Sequence, residues 1–212
     1  MLRRQLKRCS VAMLVGVLVV LSAPAQSEPA SAKGGGIPSG DYIQAEIKGQ
    51  FSRAVDTGGE RTGFQISASA VTWEVDASTN KTLLQMAEQL DGKLAIATGT
   101  YAERRDGPRV RRILTAQTLR SEAEKGRGEY IDVTVHGTLK SGVIAIGAET
   151  TGVTITASAV TWELELKGNQ HQVADKLNGS KAIVSGRLRR EAGVEVKNRF
   201  IVNVRSLKSA ML

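Results

Sequence analysis

The chain has 212 residues, with 29 Lys and Arg against 21 Asp and Glu, a formal net charge of +8 and only 4% aromatic residues. Its one cysteine, Cys9, lies near the N-terminus, which excludes a disulfide, a thiol nucleophile and a thiolate metal site from the rest of the chain. Four of the 29 basic residues (Arg3, Arg4, Lys7, Arg8) and none of the acidic ones fall in the first 25 positions, so the remainder carries 25 against 21, or +4, too little for a whole-chain argument for a polyanion partner.

Those four basic residues are followed by an uncharged apolar run, Val11 to Leu21, and by the small residues Ala23-Pro24-Ala25. This is the three-part layout of a secretory signal peptide. Eleven apolar residues are too few for a comfortable membrane span, which takes about 20. No Cys follows the run, which argues against a lipoprotein. The expectation is a signal at 1–25, cleavage after Ala25, and export to the periplasm or the medium. Residues 26–40, which include SEPASAKGGGIPSG, are small, polar and Pro/Gly-rich and read as a flexible linker. Gly34 to Gly36 is not a phosphate loop, since no strand precedes it and no GKS or GKT follows.

From there the chain is written twice. ASAVTWEV, ending at Val75, returns as ASAVTWEL, ending at Leu164. Tyr42-Ile43 with Gly49 corresponds to Tyr130-Ile131 with Gly137, and Ala95 to Gly99 corresponds to Ala182 to Gly186. Two copies of one domain, 41–120 and 130–209, with a polar linker at 121–129, explain the match.

Within each copy the pattern is mostly strand. Ile43, Ala45 and Ile47, like Ile131, Val133 and Val135, alternate with polar residues. Val153, Ile155, Ala157 and Ala159 fall on one parity, and Val160, Trp162, Leu164 and Leu166 on the other. A parity switch requires a turn or a bulge, so the repeated motif is a strand junction. Thr82 to Gln89 and Gln170 to Lys176 are the helix candidates, ended by Asp91-Gly92 and Asn178-Gly179. Strands centred on Ala95 to Thr100 and Ile113 to Leu119 follow, with equivalents at Ala182 to Leu188 and Phe200 to Leu207.

Three strands, a helix and two strands is an order that resembles the OB-fold, a five-stranded Greek-key barrel with its helix between strands three and four. The fold class expected is therefore mainly β: two tandem five-stranded OB-like barrels, similar in outline to small exported bacterial OB-fold proteins. A generic β-sandwich is the alternative.

The resemblance directs attention to the loop between strands four and five, a usual ligand-gripping loop of such barrels. In copy one it reads YAERRDGPRVRR, with Arg104, Arg105, Arg109, Arg111 and Arg112. In copy two it reads RLRREAGVEVKNR, with Arg187, Arg189, Arg190, Lys197 and Arg199. Clustered guanidinium groups suit phosphate, sulfate or carboxylate. The plainer reading is a solvated hairpin whose charges guard an edge, and Glu103, Asp106, Glu191 and Glu195 partly neutralise both loops.

Single-stranded nucleic acid is the partner that OB-folds suggest, but such binders combine charge with aromatic platforms. Trp73 and Trp162 sit in apolar alternation and read as core, which leaves Tyr101 as the one well-placed stacking candidate. His136 and His171 read as surface residues, and no cluster with metal-ligand spacing accompanies them. Glu74 and Glu163 each follow the repeated Trp and point away from it, with no second carboxylate recurring beside them. No G-x-S-x-G nucleophile turn occurs. The reading is an exported binding module rather than an enzyme, with no cofactor or metal implied. Its partner is an anionic polymer, a lipid head group or an acidic protein surface. The alternatives are an envelope interaction protein and a single-stranded nucleic-acid binder.

Overall fold

Alternation of Ile43, Ala45 and Ile47 buries one face of the first strand, β1 (Tyr42–Val55), and the pattern continues around a closed ring. The computed structural model describes residues 40–55, 61–122, 128–144, 150–193 and 198–210. The segment read as signal and linker up to residue 39 therefore lies outside the described residues, as does Lys197. Copy one continues through β2 (Arg61–Ala68), β3 (Val71–Asp76), α1 (Lys81–Gln89), β4 (Leu94–Asp106) and β5 (Arg109–Ser121). Copy two runs β6 (Tyr130–Ser141), β7 (Val153–Ala157), β8 (Val160–Glu165), α2 (Gln170–Lys176), β9 (Lys181–Glu191) and β10 (Arg199–Ser209).

The fold is mainly β and OB-like. Strand order β2-β3-β5-β4-β1 closes through a β1–β2 pairing, and the order β6-β7-β8-β10-β9 closes through β6–β9. In each ring one pairing is parallel, β3 with β5 and β8 with β10, and the rest are antiparallel. Closure requires β1 to serve β4 along its first half and β2 along its second, and Gly49 sits where the strand changes partner. A Cβ there would fall inside the carbonyl oxygen of Ser67, and Gly137 stands against Thr156 in the same way. Glycine is what lets each strand coil tightly enough to close its barrel.

Helix α1 begins at Asn80, whose side-chain oxygen accepts from the Thr82 amide at 2.8 Å. It buries Leu83 and Ala87, and Gly92 follows with φ of 74°. Helix α2 buries Ala174 and is followed by Gly179 with φ of 77°.

The repeated ASAVTW stretch is a two-residue hairpin turn. Ser69 and Ala70 have φ of 50° and 62°, and Ser158 and Ala159 have 48° and 64°. Two successive left-handed residues are what a primed hairpin turn needs, normally supplied by Asn-Gly. Here L-residues with small side chains adopt it, at a cost of about 1–2 kcal/mol each. Both turns lean on chain outside their own copy, the first on Glu129 at the end of the linker and the second on Asp41 at the start of copy one. The Ser69 amide donates to the Glu129 carboxylate at 3.2 Å, and the Ser158 hydroxyl donates to the Asp41 carbonyl at 2.9 Å.

The copies meet along β1 and β6, a contact the sequence reading did not anticipate. The pairing is antiparallel, with Ala45 opposite Val133. Tyr42 faces His136, and Lys48 faces Tyr130. Tyr42 and Tyr130 are equivalent in the repeat, as are Lys48 and His136, so exchanging the copies maps the interface onto itself. That is the logic of an isologous dimer within one chain. His136 is not a plain surface residue: its ring stacks on Tyr42 at 5.3 Å, and its Nδ1 lies 2.9 Å from the Gly40 carbonyl. The hydrophobic core is continuous across both copies.

Candidate anion-binding groove

The arginines expected in a loop belong instead to a long β-ribbon. Strands β4 and β5 stay paired out to Asp106 opposite Arg109, leaving only Gly107-Pro108 as the turn. Pairing imposes two faces on the ribbon. Arg104 opposite Arg111 and Asp106 opposite Arg109 share one face; Arg105 opposite Val110 and Glu103 opposite Arg112 share the other. The five copy-one arginines therefore do not form one patch.

The first face looks into a groove of about 1000 Å³ bounded by β2, β3, α1 and the ribbon. Arg104, Arg109 and Arg111 line it, together with Glu74, Asp76 and Asp106. Arg111 is engaged: its Nε donates to Glu74 Oε1 at 2.9 Å, and its Nη2 donates to the same carboxylate, which pushes the guanidinium's pKa up. Asp76 is held below the ordinary carboxylate range, first by the Ser78 hydroxyl and amide and then by the charge of Arg104. Arg104 and Arg109 are exposed and make no ion pair among the described residues. Leu84 and Val110, each 40% exposed, give the groove apolar edges.

Copy two places its arginines differently. Arg187 and Arg205 both fork onto Asp132, with Arg187 Nε 3.0 Å from Oδ1 and Arg205 Nη2 2.9 Å from it. Burial alone would raise the Asp132 pKa; the two guanidinium groups outweigh it and hold the carboxyl below its usual value. Arg187 also lies over the Tyr130 ring at 4.8 Å. The Tyr130 hydroxyl, desolvated and donating to Glu46 at 2.7 Å, has its pKa pushed up to about 12. Arg189 pairs with Glu165 at 3.4 Å and with Glu191. Arg199 forks onto Glu163, the repeat of the Arg111–Glu74 pair, but its side chain is 15% exposed where that of Arg111 is 48%. Arg190 donates to the Ala70 carbonyl at 3.0 Å, across the copies. The two loops are thus alike in composition and unlike in state. Copy two's arginines are mostly consumed by internal carboxylates, and Arg104 and Arg109 of copy one are not.

Tyr101 offers no stacking platform. Its ring is 2% exposed, wedged 4.3 Å from Trp73 and 5.4 Å from Trp162, and its hydroxyl donates to Glu103 at 2.8 Å. Burial, with the Glu103 charge beside it, drives its pKa upward. The sequence placed it at the ribbon edge correctly, but its parity puts it on the inner face. Trp73 and Trp162 are buried core residues, as the alternation implies. Glu74 and Glu163 face away from the tryptophans, and their partners Arg111 and Arg199, distant in sequence, were not legible from spacing.

Among the described residues no group of three or more His, Cys, Asp or Glu is placed to hold a metal ion. Nor is any helix among them long and apolar enough to cross a membrane.

No family profile matches the chain, and no curated protein matches it in sequence. Among solved structures, the wild-type single-stranded DNA binding protein from Thermus aquaticus superposes with a TM-score of 0.50 at 15% identity, covering 82% of this chain and 95% of that one. A deletion mutant of the same protein gives 0.47 at 14% identity, covering 82% and 96%. Identity this low speaks for the fold alone, and the fold is OB-like: a closed five-stranded barrel.

Proposed function

We propose that the protein is an exported, non-catalytic binding module of two fused OB-like barrels, in which copy one grips an extended anionic polymer. The observation that carries this reading is the pair Arg104 and Arg109: two exposed guanidinium groups that form no ion pair among the described residues, on the ribbon that walls the groove. Charge-assisted, forked hydrogen bonds to carboxylate, sulfate or phosphate are the chemistry such groups supply. Of the groove's carboxylates, Glu74 is occupied by Arg111 and Asp76 by Ser78, while Asp106 stands opposite Arg109 on the same face of the ribbon. The face between β2–β3 and the β4–β5 connection is also where OB barrels generally take polymeric ligands.

The test is binding of the full chain to an acidic polysaccharide, anionic vesicles and single-stranded DNA across a salt series. Arg104→Gln/Arg109→Gln is expected to weaken binding of the preferred ligand about tenfold or more, roughly 1.4 kcal/mol, and to flatten its salt dependence. Equal binding by the variant and the parent would end this reading.

Single-stranded nucleic acid is the second reading. It is supported by likeness in fold to a protein named for that ligand. Against it stands the burial of Tyr101, Trp73 and Trp162, which leaves the half-buried Phe64 as the one aromatic side chain among the described residues that line the groove, where such ligands use several. A clear preference for DNA in the same panel would reverse the order.

A further inference from the structure

Arg112 stands on the face of the ribbon opposite the groove, where copy one meets copy two. Its guanidinium lies over the Phe200 ring, 4.6 Å from the centre. Arg112 and Phe200 occupy equivalent positions in the repeat, so the pair marks the place where the two-fold relation is broken. The buried Arg112 Nε forms an ion pair with Glu103 at 3.3 Å, without hydrogen-bond alignment, and that carboxylate also accepts from the Tyr101 hydroxyl.

Beside this pair is a cleft of about 190 Å³ lined from both copies, with Thr72 and Arg112 on one side and Arg190, Asn198 and Phe200 on the other. Arg190 reaches into it from β9 and spends one nitrogen on the Ala70 carbonyl. The described lining of the cleft holds two guanidinium groups and no carboxylate, with Glu103 beside Arg112 and Glu129 on the Ser69 amide flanking it. Like charges brought together across an interface require a counter-charge. The cleft has room for several waters at about 30 Å³ each, hence for a tetrahedral ion with part of its shell, but not for a chain.

We propose that this cleft is a second binding site, for a small oxyanion of the phosphate or sulfate class, held between Arg112 of copy one and Arg190 of copy two. The Asn198 amide completes the donor set, joined by the Thr72 hydroxyl when Ser67, 2.8 Å away, donates to it, and the Phe200 ring keeps the Arg112 fork flat against the ion. Because both copies contribute, occupancy ties them together. The site is independent of the groove, since Arg104 and Arg109 lie on the other face of the ribbon.

The experiment is calorimetric titration of the full chain in chloride buffer, at fixed ionic strength, with inorganic phosphate and with glycerol 3-phosphate as an ester. Binding of either supports the site, and the tighter of the two says whether a free ion or a phosphate ester is the natural occupant. Arg190→Gln, an exposed position whose loss leaves the core intact, is expected to weaken it at least tenfold. Arg112→Lys, which keeps the charge but loses the fork, is expected to do the same. Arg104→Gln/Arg109→Gln is expected to leave it unchanged, which separates this site from the polymer groove. No heat from either compound up to about 10 mM, or equal affinity in the parent and Arg190→Gln, would overturn the proposal.

Discussion

Tyr101 of copy one and Trp162 of copy two lie with ring centroids 5.4 Å apart, across the boundary between the repeats. Trp73 approaches the same tyrosine from within copy one at 4.3 Å. Three aromatic rings thus join the two barrels' interiors, in addition to the β1–β6 ladder. The copies are expected to unfold as one unit. In each single-tryptophan variant, Trp73→Phe and Trp162→Phe, the urea midpoint from the remaining tryptophan's fluorescence should coincide with that from circular dichroism of the whole chain. Tyr101→Ala should lower stability by about 3–5 kcal/mol, the usual cost of emptying a buried aromatic site, and should shift both probes together. A fluorescence midpoint that departed from the circular dichroism midpoint of the same variant would show that the ring contact does not couple the barrels.

The left-handed turns make a prediction of opposite sign. Ala70 and Ala159 hold φ of 62° and 64°, where an L side chain is strained and glycine is not. Ala70→Gly and Ala159→Gly should each stabilise the protein by roughly 0.5–1 kcal/mol, the relief of strain less the added freedom of glycine in the unfolded chain. Ala70→Val should destabilise it, since a branched side chain fits that conformation worse. Urea midpoints at constant m-value read both. A loss of stability in the glycine variants would mean that the Ala methyl groups contribute packing worth more than the strain.

The repeat was legible because it is a structural necessity written in the chain. Parity switching at Ala159–Val160 located the hairpin, and the Asx-Gly pairs located the helix ends. Strand alternation identified Trp73 and Trp162 as core. The relations between distant segments were not legible. Nothing in the spacing of Tyr42, Lys48, Tyr130 and His136 says that their strands pair, since the apolar alternation of β1 serves its own barrel equally well. The Arg-rich segments looked equivalent because composition records charge and not its partner. The carboxylates that neutralise copy two's arginines, Asp132, Glu163 and Glu165, come from β6 and β8. Tyr101 was misjudged because a residue at the root of a charged ribbon can face either way, and only the register with Leu114 turns it inward.

Glycine at the turning point of the first strand is expected to be indispensable in both copies. Gly137→Ala would push a methyl group into the Thr156 carbonyl, a backbone atom that cannot swing aside. A cost of about 1–3 kcal/mol or more follows from overpacking of this kind. Gly142→Ala is the control, because its Cβ would meet nothing within 4 Å and only its φ of 70° is strained. Thermal denaturation should rank Gly137→Ala well below Gly142→Ala, and the reverse ranking would show that the strand can relax around the added carbon.

Acid should weaken the protein through copy two's ion pairs. Asp132 is held below its ordinary 3.8: desolvation pushes it up, but the hydrogen bonds from Arg187 and Arg205 outweigh that. Glu163 is held below its ordinary 4.5, chiefly by Arg199. In the unfolded chain both groups titrate at their ordinary values. As pH falls, the unfolded state therefore takes up protons before the folded state does, and the equilibrium moves toward unfolding. The stabilisation is present in full above about pH 5 and is lost progressively as pH drops through 4.5 and 3.8 toward the lower folded values. Asp132→Asn/Glu163→Gln should start from a lower urea midpoint at neutral pH and decline less steeply below pH 5. Some slope should remain, because Asp76 is depressed as well and is untouched. If the variant's midpoint fell in parallel with the parent's, the acid limb would have to come from carboxylates other than these two.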